Sequence, residues 1–230
     1  MTAYDYTPFL VSLKVASIAT FFVFVSGVML ARVMARREFF GKSIIESVFL
    51  LPLVLPPTVV GFGLLYLFGK HGVIGQWLLS AFDVQIVFTW IGAVIASIVV
   101  SFPLMYQSAS AAFQTLDARL EDVARTMGAS EWRVFWTVTF PLVWPGLLSG
   151  TVLSFARALG EFGATLMIAG YIPGKTETIP LAIYFAVENG DLNKAGFWTV
   201  IIIALGFGCI LWLNWWGKRN IRRFTVQSKR

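Results

Sequence analysis

The chain has 230 residues, of which 57% are hydrophobic and only 13% charged, and its mean hydropathy is +0.76. Soluble domains carry about 25% charged residues, so this chain has too few to cover a water-exposed surface. It contains one cysteine, Cys209, and a net charge of +6. This composition excludes a soluble enzyme, a disordered chain and a secreted disulfide scaffold, and it predicts a membrane protein.

Five apolar stretches are long enough to cross a bilayer as helices, for which about 20 residues are needed. They cover residues 9–31, 44–68, 84–112, 142–168 and 195–216. The sequence therefore predicts an all-α membrane protein in which residues 1–230 form a single transmembrane domain. The apolar stretch from Ile179 to Val187 is too short to span, and we interpret it as an interfacial or re-entrant segment.

Basic residues are distributed unevenly between the two sides of the membrane that five spans define. Thirteen of them follow the first, third or fifth span, whereas Lys70, Lys175 and Lys194 lie on the other side. Because cytoplasmic loops are enriched in Lys and Arg, we expect the N-terminus outside and the C-terminus in the cytoplasm. Anionic lipid headgroups account for this charge, so we expect contact with membrane lipid and no nucleic-acid partner.

The fifth span carries a tryptophan near each end, Trp198 and Trp216. Their separation corresponds to about 27 Å of helix, which is close to the thickness of the hydrocarbon layer. We therefore expect both rings to lie in the aromatic belts at the membrane interfaces and to anchor the span.

Residues 113–140, between the third and fourth spans, form a long cytoplasmic loop whose pattern predicts two helices. Four apolar residues recur at intervals of four, three and four and predict one stripe on the first helix: Leu116, Leu120, Val123 and Met127. Gly128 suits the end of that helix, and Ser130 suits the N-cap of the next. The loop is either an amphipathic hairpin on the bilayer surface or a docking element that binds a groove in a soluble partner.

The same loop resembles the signature of the integral membrane subunits of ABC importers. In that family Glu-Ala-Ala, three residues, Gly, nine residues and Ile-x-Leu-Pro mark the coupling region. The corresponding residues here are Asp122-Val123-Ala124, Gly128 and Val138-Thr139-Phe140-Pro141, with both spacings kept and conservative departures at four positions. The resemblance implies that residues 113–140 are a coupling region that contacts an ATPase through eight residues: Asp122, Val123, Ala124, Gly128, Ala129, Trp132, Val138 and Pro141.

The resemblance extends along the rest of the chain. Residues 51–61 look like the second span of oxyanion permeases, and residues 155–165 are similar to the fourth span of molybdate and sulfate permeases. Residues 172–180 resemble the molybdate branch more than the sulfate branch, whose chains also tend to be longer. The likeness implies a type I ABC importer permease fold and molybdate as the substrate, with sulfate, thiosulfate and tungstate as alternatives.

Arg157 and Glu161 are charged residues within the predicted fourth span and are candidates for the translocation path. They are four residues apart, so on a helix their side chains share a face and form an ion pair. Ionisable groups in a span are costly unless they are paired or face water. Two interpretations are open: the pair locks the helix to its neighbours, or Arg157 offers positive potential to a passing dianion.

Prolines interrupt the predicted second span at Pro52, Pro56 and Pro57. Each proline removes a backbone donor, so we expect this helix to be kinked or locally unwound. The interruption is either a packing kink or a part of the path, in which Pro56, Pro57 and the hydroxyl of Thr58 are candidates. Four glycines are expected to allow close helix approach: Gly61, Gly63, Gly160 and Gly163.

The sequence lacks the residues that a catalytic or nucleotide site requires. There is no G-x-x-x-x-G-K-[ST] loop for phosphate, and the one histidine, His71, has no Cys or His at metal-binding spacing. We therefore expect no enzyme activity, metal or cofactor in this chain. The resemblance implies that ATP and Mg are bound by two cytoplasmic ATPase subunits.

The resemblance also implies an assembly in the bacterial cytoplasmic membrane. Five spans are too few to enclose a path, so two copies are expected to pair about a twofold axis. A periplasmic or surface-tethered binding protein is expected to deliver molybdate at the outer face. A non-transporting membrane scaffold and an ion-driven secondary transporter are the alternatives; the sequence shows no internal repeat of the kind typical of the latter.

Overall fold

The computed structural model describes residues 6–227, with side chains described as far as Trp216, so the predicted basic tail from Lys218 to Arg230 lies outside the described side chains. Every regular element in this range is helical, which confirms the all-α prediction. In chain order the helices are α1 (Thr7–Arg36), α2 (Lys42–Val54), α3 (Pro57–Phe68), α4 (Val73–Phe82), α5 (Trp90–Gln114), α6 (Ala118–Thr126), α7 (Glu131–Val134), α8 (Phe140–Leu159), α9 (Gly163–Ala169), α10 (Ile179–Glu188) and α11 (Leu192–Gln227). A π-helical segment, Phe135–Thr139, joins α7 to α8.

Four helices of the described chain are long and apolar enough to cross a membrane: α1, α5, the continuous helix Glu131–Leu159, and α11 as far as Trp216. The predicted second span, 44–68, is divided into α2 and α3, whose axes differ in direction by 114°. The expected interruption at the prolines is confirmed, but the bend is far sharper than a proline kink. Length and composition therefore allow four crossings, or five if the bent pair also spans.

Two predicted spans differ in their bounds from the helices that the structure shows. The span predicted at 84–112 begins only at Trp90, because the hydroxyl of Thr89 caps the helix by accepting from the N–H of Gly92. The predicted span 142–168 lies on a helix that begins at Glu131, because the π-helical segment makes α7 and α8 continuous, and that ends at Leu159. Residues 160–162 then leave the helix, and α9 begins after this break.

The core lies where α1, α5 and α8 pack together through small residues. Four alanines on α1 and α5 are fully buried there: Ala16, Ala19, Ala93 and Ala96. A Cβ added to Gly27 of α1 would lie 2.8 Å from the side chain of Met105 on α5. Close backbone approach of this kind is how helices gain van der Waals contact in lipid, where the hydrophobic effect between them is absent.

Helix α10 occupies the segment that was predicted to be interfacial or re-entrant. It packs against α1 and α11, and the backbone N–H of Ile179 donates to the hydroxyl of Ser12 at 2.7 Å. Trp198 of α11 is fully buried against Ile179 and Ala182. The prediction that Trp198 lies in an aromatic belt is therefore wrong, because α10 covers this part of α11.

Helices α3 and α9, which follow the two breaks in the predicted second and fourth spans, pack directly against each other. A Cβ added to Gly61 would lie 2.7 Å from the Cα of Ala164, and one added to Gly163 would lie 3.2 Å from the methyl group of Thr58. These two glycines confirm the expectation of close approach. Gly63 and Gly160 do not, since Gly63 meets nothing within 4 Å and Gly160 meets only its own helix at 3.6 Å.

Alanine at Gly61 tests whether this contact holds the two broken segments together. Gly61→Ala and Gly63→Ala both raise helix propensity by about 1 kcal/mol, so the difference between the two variants isolates the contact with α9. We expect Gly61→Ala to be less stable than Gly63→Ala by about 1–3 kcal/mol. Thermal unfolding of the protein in detergent measures this difference, and equal midpoints would contradict the packing described.

Candidate coupling region and translocation site

The coupling region folds as two short helices joined by a tight turn at Gly128. Asp117 caps α6 by accepting from the N–H of Arg119, and Ser130 caps α7 by accepting from the N–H of Arg133. Gly128 has φ +82°, a left-handed conformation that strains residues with a side chain. The predicted roles of Gly128 and Ser130 at the helix ends are therefore confirmed.

Large apolar side chains of the coupling region point away from the membrane-spanning helices. Three members of the predicted stripe are 47%, 58% and 82% exposed, namely Leu120, Val123 and Met127. Leu116 precedes α6 and packs against the core instead. Trp132 is 73% exposed and Trp136 46% exposed, and their rings meet edge to face at 5.6 Å. An exposed apolar surface of this kind marks a site of protein or membrane contact.

The eight residues carried over from the family signature are spread along both arms of this hairpin and the start of α8. Asp122, Val123, Gly128, Trp132 and Pro141 are exposed. Ala124, Ala129 and Val138 are half-buried, and the N–H of Ala129 donates to the carbonyl of Ala124 across the turn at 3.1 Å. The structure thus shows where each residue lies, and their contact with a partner stays a prediction.

Glu121 is a buried residue of the coupling region that is not among the eight residues of the family signature. It is only 5% exposed, accepts a hydrogen bond from the hydroxyl of Thr139 and forms an ion pair with Arg36 at the end of α1. The apolar stripe could have indicated its burial. If Leu120 and Val123 face a partner, another face of α6, which carries Glu121, has to face the rest of the protein.

Arg125 closes the turn between the two short helices. It donates from Nε to Glu131 Oε1 at 2.6 Å and from Nη2 to Glu131 Oε2 at 3.2 Å, and Nη1 donates to Asp122 Oδ1 at 2.6 Å. Hydrogen bonding to Glu131 is the largest cause of a pKa of Arg125 raised above its usual value. A forked arginine–carboxylate pair fixes direction as well as charge, so the hairpin is held in one geometry.

The predicted ion pair in the fourth span forms, but it crosses a helix break and not a continuous helix. Arg157 Nη1 lies 2.6 Å from Glu161 Oε2, and Glu161 itself is 2% exposed. The other oxygen, Glu161 Oε1, accepts from the backbone N–H of Ala164 at 2.8 Å. Glu161 therefore neutralises Arg157 and also satisfies an N–H in the first turn of α9, which otherwise has no partner within the helix.

The two broken segments that carry the five candidate path residues touch each other. Gly163, next to the break that carries Glu161, approaches the ring of Pro57 and the backbone of Thr58 at the start of α3. Pro56 and Thr58 are exposed, and the side chain of Arg157 is 29% exposed. The structure thus brings the start of α3 next to the break that carries Glu161. That these residues line a path for an anion stays a prediction.

Residues 25–225 match the protein family described as the binding-protein-dependent transport system inner membrane component. The chain is 45% identical over 216 residues to the molybdenum transport system permease protein ModB of Escherichia coli (strain K12), covering 94% of each chain. It is 43% identical over 209 residues to the molybdenum transport system permease protein ModB of Haemophilus influenzae, covering 90% of this chain and 91% of the relative.

A sulfate permease is a more distant relative, and a solved transporter is similar in fold. The sulfate transport system permease protein CysT of Escherichia coli (strain K12) is 34% identical over 213 residues, covering 93% of this chain and 76% of the relative. A bacterial alginate ABC transporter, solved in complex with an alginate-bound periplasmic protein, matches with a TM-score of 0.71 and 16% identity over 95% of this chain and 80% of its own. This structural match confirms the type I ABC importer permease fold.

Removal of Arg157 tests the energetic role of the ion pair. Arg157→Met leaves the buried carboxylate of Glu161 without its counter-charge, and loss of one partner of a buried pair costs about 3 kcal/mol. The double variant Arg157→Met/Glu161→Gln removes both charges, so we expect it to recover most of that loss. Thermal unfolding in detergent compares the two, and a double variant as unstable as the single one would contradict this account.

Proposed function

The chain belongs to the family of inner membrane components of binding-protein-dependent transport systems, and we propose that it is the membrane-spanning subunit of an ATP-driven molybdate importer. As a member of this family, it is a permease of the inner membrane and not itself an enzyme. The observation that carries the proposal is one continuous helix, Glu131–Leu159, which runs from the exposed coupling region to Arg157 beside the path. In this proposal, movement of the cytoplasmic end of this helix also moves Arg157 and the helix break that follows it.

The energy for transport comes, in this proposal, from two cytoplasmic ATPase subunits. The chain has no phosphate-binding loop of its own, so a partner has to bind ATP and Mg. Exposed Val123, Met127 and Trp132 supply an apolar surface of the kind that fits a groove in such a partner. Closure of the ATPase pair then pushes the coupling regions together and rocks the permease between inward-facing and outward-facing states.

A second copy of the chain and a binding protein complete the proposed importer. Helix α2 has no buried residue within one chain, and α3 exposes Val59, Phe62 and Tyr66, so both helices present surfaces for a second copy or for lipid. A homodimer would enclose the path between two sets of broken helices. A periplasmic or tethered binding protein delivers the anion outside, in keeping with the periplasmic protein seen on the alginate transporter.

Molybdate is the proposed substrate because two relatives named for molybdenum transport are 45% and 43% identical to this chain, whereas the sulfate permease is 34% identical. Arg157 offers the positive charge that a dianion requires. Glu161 screens that charge at 2.6 Å, which suits a path because conduction needs sites weak enough to release the ion. Tungstate is nearly the same size as molybdate, so we expect it to compete, while sulfate is the less favoured alternative.

Uptake of labelled molybdate in cells with and without this chain tests the proposal. We expect ATP-dependent uptake that disappears on deletion, persists in a large excess of sulfate and is inhibited by tungstate. Uptake abolished by sulfate would assign the permease to sulfate instead. Uptake unaffected by deletion would remove the oxyanion assignment.

An acidic substitution at Trp132 tests the docking surface. Trp132→Asp places a charge where an apolar contact is proposed, so we expect association with the ATPase and uptake to fall at least about tenfold. Phe40→Asp is the matched control, because Phe40 is fully exposed between α1 and α2, outside the coupling region. Co-purification of the ATPase measures association, and intact association in Trp132→Asp would refute docking at this surface.

A further inference from the structure

We infer that Glu121 is the positioning residue that ties the coupling region to the membrane-spanning helices, so that movement of α6 is passed on as transport. The inference rests on the proposed function and adds a residue outside the eight that the family signature indicated. Glu121 lies on the side of α6 that faces the protein, away from the exposed docking surface. Its physical basis is a buried carboxylate shared by three elements of the fold.

Each oxygen of Glu121 binds a different element. Oε2 forms an ion pair with the guanidinium of Arg36, the last residue of α1, and lies farther from Arg125 Nη2 of its own helix, at 3.8 Å. Oε1 accepts from the hydroxyl of Thr139, which is fully buried at the end of the π-helical segment before α8. Since Glu121 itself lies in the middle of α6, one carboxylate joins α6 to two membrane-spanning helices.

The other carboxylates of the coupling region are exposed to water, unlike Glu121. Asp122 and Glu131 have side chains 66% and 64% exposed, so water screens their pairs with Arg125. Glu121 has a side chain 6% exposed, and a buried carboxylate is strongly dependent on the partners that satisfy it. The link from α6 to Arg36 and Thr139 is therefore a buried connection to other helices, whereas the exposed Arg125 pairs act within the hairpin and fix its own shape.

The connection matters because the ends of α6 are turns. At its C-terminal end Gly128 has a left-handed backbone, and at its N-terminal end residues 115–117 lead back to α5. A helix attached only by such turns is free to tilt when a partner pushes it. With Glu121 bound on both sides, a push on α6 displaces α1 and α8 together, and these two helices pack against each other in the core.

The test measures how many ATP molecules the reconstituted transporter hydrolyses for each molybdate ion taken up. The complete complex, with its ATPase and binding protein, is placed in liposomes. Glu121→Gln keeps the size of the side chain and an oxygen for Thr139 but loses the charge that holds Arg36. We expect assembly and ATP hydrolysis to persist while the ATP consumed per ion rises by at least about twofold.

Glu38→Gln is the matched control. Glu38 is a carboxylate on the same side of the membrane, 88% exposed and paired with Lys42 at 2.7 Å, outside the coupling region. We expect its ratio of ATP to molybdate to equal that of the wild type. A rise in the control as large as in Glu121→Gln would overturn the inference, because loss of any nearby charge would then suffice.

Arg36→Gln and Thr139→Val test the two connections separately and keep the inference testable if Glu121→Gln fails to assemble. Each is expected to raise the ratio, and Arg36→Gln combined with Glu121→Gln is expected to add little to either alone, because both remove the same pair. An unchanged ratio in Glu121→Gln, or in both partner variants, would overturn the inference. A wild-type complex without ATP-dependent molybdate uptake would instead refute the proposed function.

Discussion

Inside a membrane every charged or hydrogen-bonding group has to find its partner within the protein, and the two helix breaks depend on this constraint most directly. Glu161 meets it with both oxygens, one for Arg157 and one for the N–H of Ala164. Gly61 then lets the backbone of α3 pack onto α9. The two breaks are thereby satisfied and covered within the protein, beside the core that α1, α5 and α8 form.

The sequence was sufficient for features that depend on local chemistry. Apolar length identified the spans, the prolines identified the break before α3, and Gly128 identified the turn, because each effect acts within a few residues. The break at residues 160–162 was not predicted, since no proline marks it and its glycines, Gly160 and Gly163, were assigned to close helix approach; only the tertiary structure shows it. Burial of Trp198 was missed for the same reason, because α10 covers it only in the folded chain.

The candidate site also has features that local sequence predicts and features that only tertiary structure decides. Arg157 and Glu161 were predicted as a pair and are paired, although the helix between them ends. In the coupling region the family signature drew attention to Asp122, which is exposed, while its neighbour Glu121 is buried between Arg36 and Thr139. Adjacent carboxylates on a helix point in directions about 100° apart, and only tertiary structure decides which of them faces the protein.

The π-helical segment Phe135–Thr139 also affects how the two ends of its helix are rotated relative to each other. A π-turn accommodates one residue more than an α-turn, and one residue corresponds to a rotation of about 100° around the helix axis. This segment therefore sets the angle between the side chains of the coupling region, such as Trp132, and the side chain of Arg157 on the continuous helix Glu131–Leu159. An insertion or deletion of one residue in this segment would leave α7 and α8 helical. It would, however, rotate Arg157 about the helix axis relative to the coupling region.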